Sequence, residues 1–182
     1  MAKSDSKKKS DSKKGHAEAS PKATGASEKA DGGGGEAVPK ISVRAQYIKD
    51  FSFENPAAPQ SLSDTAGAPK IQVNVDVEAK PLGEDHYEVS LRINANGTRE
   101  ESTIFVVELI YAGLFALENF PKDRLEAMCL VECPRILFPF ARRVIADATR
   151  EGGFPPLLLD PIDFGRLFRN NRGGGTAPEK KG

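Results

Sequence analysis

The 182-residue sequence is poor in the residues that mark several large classes of protein. It contains no tryptophan, two cysteines and two histidines, too few for a disulfide framework or a metal site built from histidine and cysteine. No apolar run approaches the roughly 18–20 residues that cross a bilayer, and the lysine-rich beginning has no apolar stretch behind it, as a secretory signal would. The sequence therefore predicts a soluble protein of the reducing cytoplasm.

The charges balance over the whole chain but not along it, with 26 lysines and arginines against 26 aspartates and glutamates. Residues 1–35 carry a net charge of +3, from eight lysines and five acids. Residues 41–120 carry a net charge of −6, from six bases and twelve acids. Because phosphate contacts need a clustered positive face, this distribution argues against a uniformly basic nucleic-acid binder.

Composition divides the chain into a folded domain and two tails. Residues 1–39 are rich in lysine, serine and glycine and have no aromatic residue, so they cannot bury enough apolar area to offset the entropy of ordering. We predict a disordered tail there, a folded domain over residues 40–171 and a second disordered tail over residues 172–182. Acids interrupt the lysine run, which argues against a nucleic-acid-binding arm.

The folded part begins with four runs of alternating apolar and polar residues, near residues 41–53, 71–77, 87–93 and 105–111. Their odd-numbered positions are nearly all apolar and define one face. Turn-forming residues separate the runs, among them the Asn96–Gly97 pair. Strands that follow one another without an intervening helix predict an antiparallel sheet.

After the fourth run the spacing of apolar residues becomes helical. Pro134 lacks an N–H, so we expect the first helix to kink or restart there before the glycine pair at 152–153 ends it. Asp160–Pro161 has the composition of a cap and first turn for a last short helix. The predicted fold is α+β, a four-stranded antiparallel sheet followed by a long kinked helix and a short C-terminal helix. The apolar stripe of the long helix is Leu137, Phe140, Ala141, Val144, Ile145 and Ala148.

The second face of the predicted sheet is acidic. Its acids are Asp50, Glu54, Asp76, Glu78, Glu88 and Glu108, against the bases Arg44 and Arg92. In the fourth run Ile104, Val106 and Ile110 share the face of Glu108. Two interpretations stay open: a docking surface for a basic, partly apolar partner, or a solvated outer face whose aliphatic residues are covered by a neighbouring subunit.

The apolar face presents a similar choice, because one kinked helix and one short helix have to cover four strands. The loop at 154–159 and the Phe164/Phe168 stripe add more apolar surface than a connection needs. This surplus is either ordinary core, a surface consumed by oligomerisation, or an open groove.

Residues that would support catalysis or a cofactor are scarce. Glycine runs lack the Lys-Ser/Thr of a phosphate-binding loop. Cys129 and Cys133 lie on one helical face without further cysteine or histidine ligands, so we expect buried thiols. His16 lies in the predicted tail and His86 at the start of a strand, so no nucleophile and base are brought together. We predict no cofactor, no metal and no enzymatic activity.

Three segments resemble the SecB protein-export chaperones in order and spacing. They are Tyr47–Pro56 (YIKDFSFENP), Cys133–Arg142 (CPRILFPFAR) and Gly153–Phe164 (GFPPLLLDPIDF), within a likeness that runs from about Ile41 to Phe168. The resemblance implies a homotetramer, a dimer of dimers with its long helices between two sheets. It further implies an ATP-independent chaperone that binds unfolded secretory precursors and delivers them to the motor ATPase SecA.

The resemblance also implies functional residues. Those that would dock SecA are Asp50, Glu54, Val106 and Glu108. Those that would line an apolar client groove are Ile71, Val73, Val75, Leu109, Tyr111, Phe154, Leu157 and Phe164. The first set coincides with the acidic face that alternation predicts.

Three alternatives remain open. In the first, the chain is a structural or adaptor oligomer whose apolar face is consumed in assembly. In the second, it serves a toxin–antitoxin system as other SecB-like proteins do. The third is a small-molecule enzyme, for which only Tyr47, Tyr87 and Tyr111 are obvious polar candidates in the cavity.

Overall fold

The computed structural model describes residues 38–63 and 67–172. The two predicted tails fall almost wholly outside these residues, and so the domain boundaries stay predictions. The elements are β1 (Lys40–Glu54), α1 (Gln60–Ser63), β2 (Lys70–Gly83), β3 (His86–Arg99), β4 (Ser102–Glu118), α2 (Lys122–Ala127), a π-helical turn (Met128–Glu132), α3 (Cys133–Glu151) and α4 (Phe164–Arg172).

The four strands form one antiparallel sheet in the order β1-β4-β3-β2, which confirms the predicted fold class. The turn between β3 and β4 lies at Glu100 and Glu101, both of which have positive φ. The prediction of a turn at Asn96–Gly97 is wrong, because both residues lie inside β3. Glycine at 97 has a packing reason: a Cβ there would lie 2.4 Å from Cε1 of Phe105.

The core lies between one face of the sheet and the helices. In β3 the alternating residues Val89, Leu91 and Ile93 are fully buried, as the period-two pattern predicts. Helix α3 packs Leu137 and Ile145 against them. We call this side of the sheet the packed face and the opposite side the outer face. Within residues 38–63 and 67–172, no helix is long and apolar enough to span a membrane.

The long helical segment widens where its proline requires it. In a regular α-helix the ring of Pro134 would collide with the carbonyl of the residue four positions earlier. The π-helical turn precedes this position, and the N–H of Cys133 donates to the carbonyl of Met128, five residues back. The predicted irregularity at Pro134 is therefore present as a widened turn, after which α3 runs to Glu151.

Two details of the helices differ from prediction. Phe140, expected in the apolar stripe, is 44% exposed, and its ring stacks on Tyr111 with 6.4 Å between centroids. The cap of α4 is Asp163 and not Asp160: its carboxylate accepts a hydrogen bond of 2.9 Å from the N–H of Arg166.

Strand β1 departs from simple alternation, and this overturns part of the predicted facing. The register between β1 and β4 shifts between Val43 and Ala45 and again between Ile48 and Asp50. Each shift inserts one extra residue, a β-bulge, which reverses the side of the sheet that the following residues face. Ala45 and Tyr47, predicted on the apolar face, therefore lie on the outer face, while Ile48 lies on the packed face opposite Tyr111.

The sheet ends in two unlike edges. Strand β1 forms one edge and is interrupted by its two bulges. Strand β2 forms the other edge, carries Lys70 and Lys80, and has Pro81 near its end. Proline cannot donate to a strand ladder, and lysine opposes the approach of another apolar strand.

Candidate docking surface and apolar groove

The register of β1 and β4 brings together the four residues predicted to dock SecA. Glu54 lies opposite Val106, and Asp50 lies opposite Ile110. Glu108 lies opposite Ser52, between those two pairs. Because paired residues share a face, Asp50 and Glu54 are both diagonal neighbours of Glu108, about 7–8 Å away. We call Asp50, Glu54, Val106 and Glu108 the acidic patch.

The negative charges of this patch are not compensated by ion pairs with the described residues. Among the described residues, no cation forms an ion pair with Asp50, Glu54 or Glu108. All three carboxylates are on exposed residues. The side-chain hydrogen bond found there within the described residues comes from an uncharged donor: Nδ2 of Asn94 donates to Oε1 of Glu108 over 2.8 Å, which leaves the charge of the carboxylate in place. The patch can thus attract a cationic partner without first breaking an internal ion pair.

Two of the three other acids predicted on the outer face, Glu88 and Glu78, have a lysine partner. Glu88 accepts a hydrogen bond of 2.7 Å from Nζ of Lys49 and a second one from the hydroxyl of Tyr47. The Lys49 bond first, and the Tyr47 bond second, lower the pKa of Glu88. Glu78 lies 3.4 Å from Nζ of Lys80. The acidic face is therefore narrower than the sequence predicts. Ile104, predicted beside Glu108, is only 3% exposed and belongs to the core.

The predicted groove residues divide into core and surface. Four of them, Leu109, Tyr111, Phe154 and Phe164, are buried among the core residues and have almost no exposed surface. Core and groove share one apolar pattern, so alternation could not separate them. Of the other four, Ile71 and Val73 are exposed on the packed face of β2, whereas Val75 and Leu157 are partly buried.

The loop that follows α3 is hydrogen-bonded to the last turn of that helix. Thr149 is fully buried, and its carbonyl accepts a hydrogen bond of 3.0 Å from the N–H of Phe154. Its Oγ1 accepts a hydrogen bond of 2.9 Å from the N–H of Leu157 and lies 3.0 Å from the carbonyl oxygen of Ile145. The hydroxyl thus donates to the helix while accepting from the loop.

Aromatic packing holds the same loop from the other side. The rings of Phe105 and Phe154 lie 5.1 Å apart, and Phe53 stacks on Phe105 at 6.4 Å. A Cβ at position 152 would lie 2.1 Å from Cζ of Phe53, so the close approach requires Gly152. The loop is therefore part of a rigid wall and not a free lid.

Two adjoining pockets lie where the sequence did not predict a groove, between β2 and the α2, π-turn and α4 region. The larger has a volume of about 490 Å³ and the smaller of about 170 Å³. They share Val77, Leu130 and Glu126, so they form one continuous apolar depression with an acidic rim. Its further lining includes Ala79, Pro81, Tyr87, Leu125, Cys129, Leu167 and Phe168.

One signal in the sequence could have indicated this depression. Val77 and Ala79 continue the apolar alternation of β2 beyond the residues assigned to the groove.

Arg172 spans the depression at its far end: it pairs with Glu126, and its guanidinium lies 5.0 Å from the centre of the Phe168 ring.

The chemistry of this region is that of a binding surface. Burial raises the pKa of the Cys129 thiol to about 11 and that of Cys133 to about 12, so neither forms the thiolate that attacks substrates or binds metals. In the part of the chain that the structure describes, no three histidine, cysteine or acidic side chains are grouped to hold a metal ion.

The chain is similar in sequence to proteins that are named as protein-export proteins. The family model for preprotein translocase subunit SecB matches residues 35–173. The "Protein-export protein SecB" of Maricaulis maris is 54% identical over 132 residues, 72% of this chain and 77% of that one. Its counterpart from Xanthobacter autotrophicus is 51% identical over 133 residues, 73% of this chain and 85% of that one.

Among solved structures, one similar fold is that of a SecB-like chaperone of Mycobacterium tuberculosis in complex with a ChAD peptide from the HigA1 antitoxin. Its TM-score is 0.53 at 18% identity, covering 67% of this chain and 90% of that one. At this level of identity the likeness supports the fold.

Proposed function

The chain belongs to the SecB family of protein-export chaperones, and from this premise we propose that it holds unfolded secretory precursors without ATP and delivers them to the motor ATPase SecA. It is a chaperone and not an enzyme. We assign it to the cytoplasm, where such precursors are made. The observation that carries the delivery step is the acidic patch, whose three carboxylates form no ion pair with any residue that the structure describes.

The acidic patch has the composition of a docking site for a basic and partly apolar partner. Its acids supply the charge, and Val106, opposite Glu54, supplies an apolar contact. Exposed charge steers association and is screened by salt over about 8–10 Å. We therefore assign SecA to this patch and expect its affinity to fall as ionic strength rises.

Client binding is assigned to the packed side of the sheet. Ile71 and Val73 offer exposed aliphatic surface on β2, and the depression around Val77, Leu130 and Phe168 continues along the same strand. An unfolded chain exposes apolar segments that a native protein buries, so this surface selects the nonnative state. Binding only the unfolded state keeps a client from folding, by mass action.

We further propose that copies of the chain assemble as a dimer of dimers. On the packed side, Ile48 is 49% and Phe51 42% exposed, and Phe140 of α3 is exposed beside Tyr111. Helix α3 thus leaves the β1 end of its own sheet uncovered, and a second copy would cover it. Several weak grooves on one tetramer gain affinity for a single client through effective concentration. Native mass measurement of the full chain, which should give four copies, tests the assembly.

The decisive experiment separates the two binding functions. The triple variant Asp50→Lys, Glu54→Lys, Glu108→Lys should lose SecA binding by at least about 100-fold, since each reversed charge converts an attraction into a repulsion. Its affinity for a chemically denatured secretory precursor should stay within about twofold of the original. Calorimetry at fixed salt measures both.

A matched control reverses two charges on the same face outside the acidic patch, Asp76→Lys and Glu78→Lys. We expect the control to weaken SecA binding only a few-fold, through the general field. Equal loss in the two variants would contradict a localised site. Loss of client binding together with SecA binding would show that the two functions share a surface.

A SecB-like role in a toxin–antitoxin system is the second candidate. The complex with an antitoxin peptide comes from a protein that is 18% identical to this chain, whereas relatives at 47–54% identity bear the export name. Export is therefore the favoured role. Preferential binding of an antitoxin segment over an unfolded precursor would reverse that choice.

A further inference from the structure

The second bulge of β1 determines which side of the sheet the acidic patch occupies. Ile48 lies opposite Tyr111 and Asp50 opposite Ile110, so Lys49 is the extra residue. Before the bulge, Tyr47 lies on the outer face; after it, Asp50 does, although the two are three positions apart. In an unbroken strand, residues an odd number apart face opposite sides. Without the bulge, Asp50 and Glu54 would face the helices.

One acid binds the residues on both sides of this bulge. Glu88 is a β3 residue, and β4 lies between β3 and β1. Its Oε2 is 2.7 Å from Nζ of Lys49, and its Oε1 accepts the hydroxyl proton of Tyr47. Two side chains of the edge strand therefore extend across β4 to a single carboxylate.

The residues of the outer face that lie beneath this contact are covered from solvent. Ala112 and Ser90 are in register with Tyr47 on the outer face, yet they are 0% and 7% exposed. The Glu88 side chain itself is only 14% exposed. Both of its oxygens are occupied by groups of the chain, so it has little capacity left for a partner, unlike the acids of the acidic patch.

We propose that Glu88 is a positioning residue of the acidic patch: by binding Lys49 and Tyr47 it holds the β1 bulge and so keeps Asp50 and Glu54 on the outer face. The part of this inference that concerns binding rests on the proposed docking of SecA. The part that concerns β1 stands on the geometry alone.

The size of the expected effect follows from what else holds β1. Phe53 stacks on Phe105 and covers Gly152, which anchors the end of the strand independently of Glu88. Loss of Glu88 therefore loosens the bulge without moving the whole strand. We expect SecA binding to weaken about three- to tenfold, far less than on reversing the patch itself.

The test uses the full assembled chain with Glu88→Gln, which keeps the shape, and Glu88→Ala, which removes every contact. The control Glu78→Gln removes a carboxylate from the same face that also has a lysine partner but does not touch β1. Hydrogen exchange of residues 46–52 and the affinity for SecA at fixed salt are measured together. Both Glu88 variants should speed exchange in that segment at least tenfold and weaken SecA binding three- to tenfold, while the control changes neither.

Each other outcome overturns a defined part of the proposal. Unchanged exchange in both Glu88 variants rejects the positioning role, and if SecA binding nevertheless weakens, Glu88 is itself a contact residue. Faster exchange with unchanged SecA affinity rejects the link to docking. If the original chain does not bind SecA, the proposed docking fails, and the exchange result alone decides whether Glu88 holds the bulge.

Discussion

The two faces of the sheet are built from the same strands and differ in what they need from neighbouring residues. On the packed face of β3, Leu91 is fully buried against the helices; the next residue, Arg92, is exposed on the outer face. Burial of a side chain such as leucine contributes about 1.5–3 kcal/mol, whereas an exposed ion pair contributes about 0–1 kcal/mol. The packed face therefore holds the fold, and the outer face is free to carry charge for a partner.

The largest effect should come from truncation on the packed face. Leu91→Ala removes buried methyl groups and leaves a cavity, so the free energy of unfolding should fall by about 2–5 kcal/mol. Arg92→Ala, one residue along, should change it by less than about 0.5 kcal/mol. Urea unfolding at one protein concentration measures both, because stability depends on concentration in an oligomer. Equal losses would mean that the two faces have been confused.

The reactivity of the buried cysteine thiols can be compared with that of a thiol on the outer face. Burial raises the pKa of Cys129 from an ordinary 9.0 to about 11, so at pH 8 its thiolate fraction falls about 100-fold. Thiol reagents should label native Cys129 and Cys133 at least 100-fold more slowly than the urea-unfolded chain. A cysteine placed on the outer face by Asp76→Cys should react at the unfolded rate.

These thiols also predict an alkaline loss of stability. Because their folded pKa values lie above the unfolded value, they contribute stability below about pH 9 that disappears as pH rises through about 11 and 12. Changing both residues to alanine should flatten the fall in unfolding free energy above pH 9. An unaltered alkaline profile would contradict the burial of the thiols.

A smaller effect should follow at the boundary of the packed side, where Thr149 holds the loop after α3. Thr149→Val keeps the volume but leaves the partly buried N–H of Leu157 without its acceptor, which should cost about 1 kcal/mol. Thr149→Ser keeps the hydroxyl and serves as the control. Hydrogen exchange at the Leu157 amide should speed up in the valine variant only; unchanged protection would show that the bond does not hold the loop.

The smallest effect concerns an acid of the outer face. The pKa of Glu88 is lowered, most by Lys49 and then by Tyr47, and Lys80 on β2 acts in the same direction. The lowered pKa contributes stability above the ordinary value of 4.5 that is lost as pH falls through the folded value. The difference in unfolding free energy between the original chain and Glu88→Gln should be under about 1 kcal/mol at pH 7 and should shrink as the pH falls below 4.5. A difference that persists at low pH would have another cause.

How much of this could be predicted from the sequence differs between strands. Over Val89–Ile93 of β3 and Phe105–Tyr111 of β4, alternation predicts the correct facing, because each strand is paired on both sides and one slip would bury its charges. It fails at Ile104 of β4, where the register shifts and the side chain is buried. In β1 it failed at Tyr47, because a bulge adds one residue without changing the composition of the strand.

The facing of Asp50 and Glu54 could be predicted because both lie after the second bulge of β1, where the odd-even count is again correct. The groove could not, since Phe164 in the core and Ile71 at the surface obey the same apolar pattern. Thr149 follows Ala141 and Ile145 at intervals of four, and a polar residue in that stripe was a signal that could have been read.

The edges of the sheet bear on how unfolded chains are handled. A protein that binds unfolded polypeptides would promote their aggregation if the edge of its sheet paired with them as a further strand. Here two bulges interrupt the free backbone groups of β1, whereas β2 keeps an unbroken stretch from Ile71 to Ala79, with Lys70 before it and Lys80 after it. The β1 edge therefore gives an unfolded chain no regular ladder to extend, and at the β2 edge the two lysines oppose the approach of another strand.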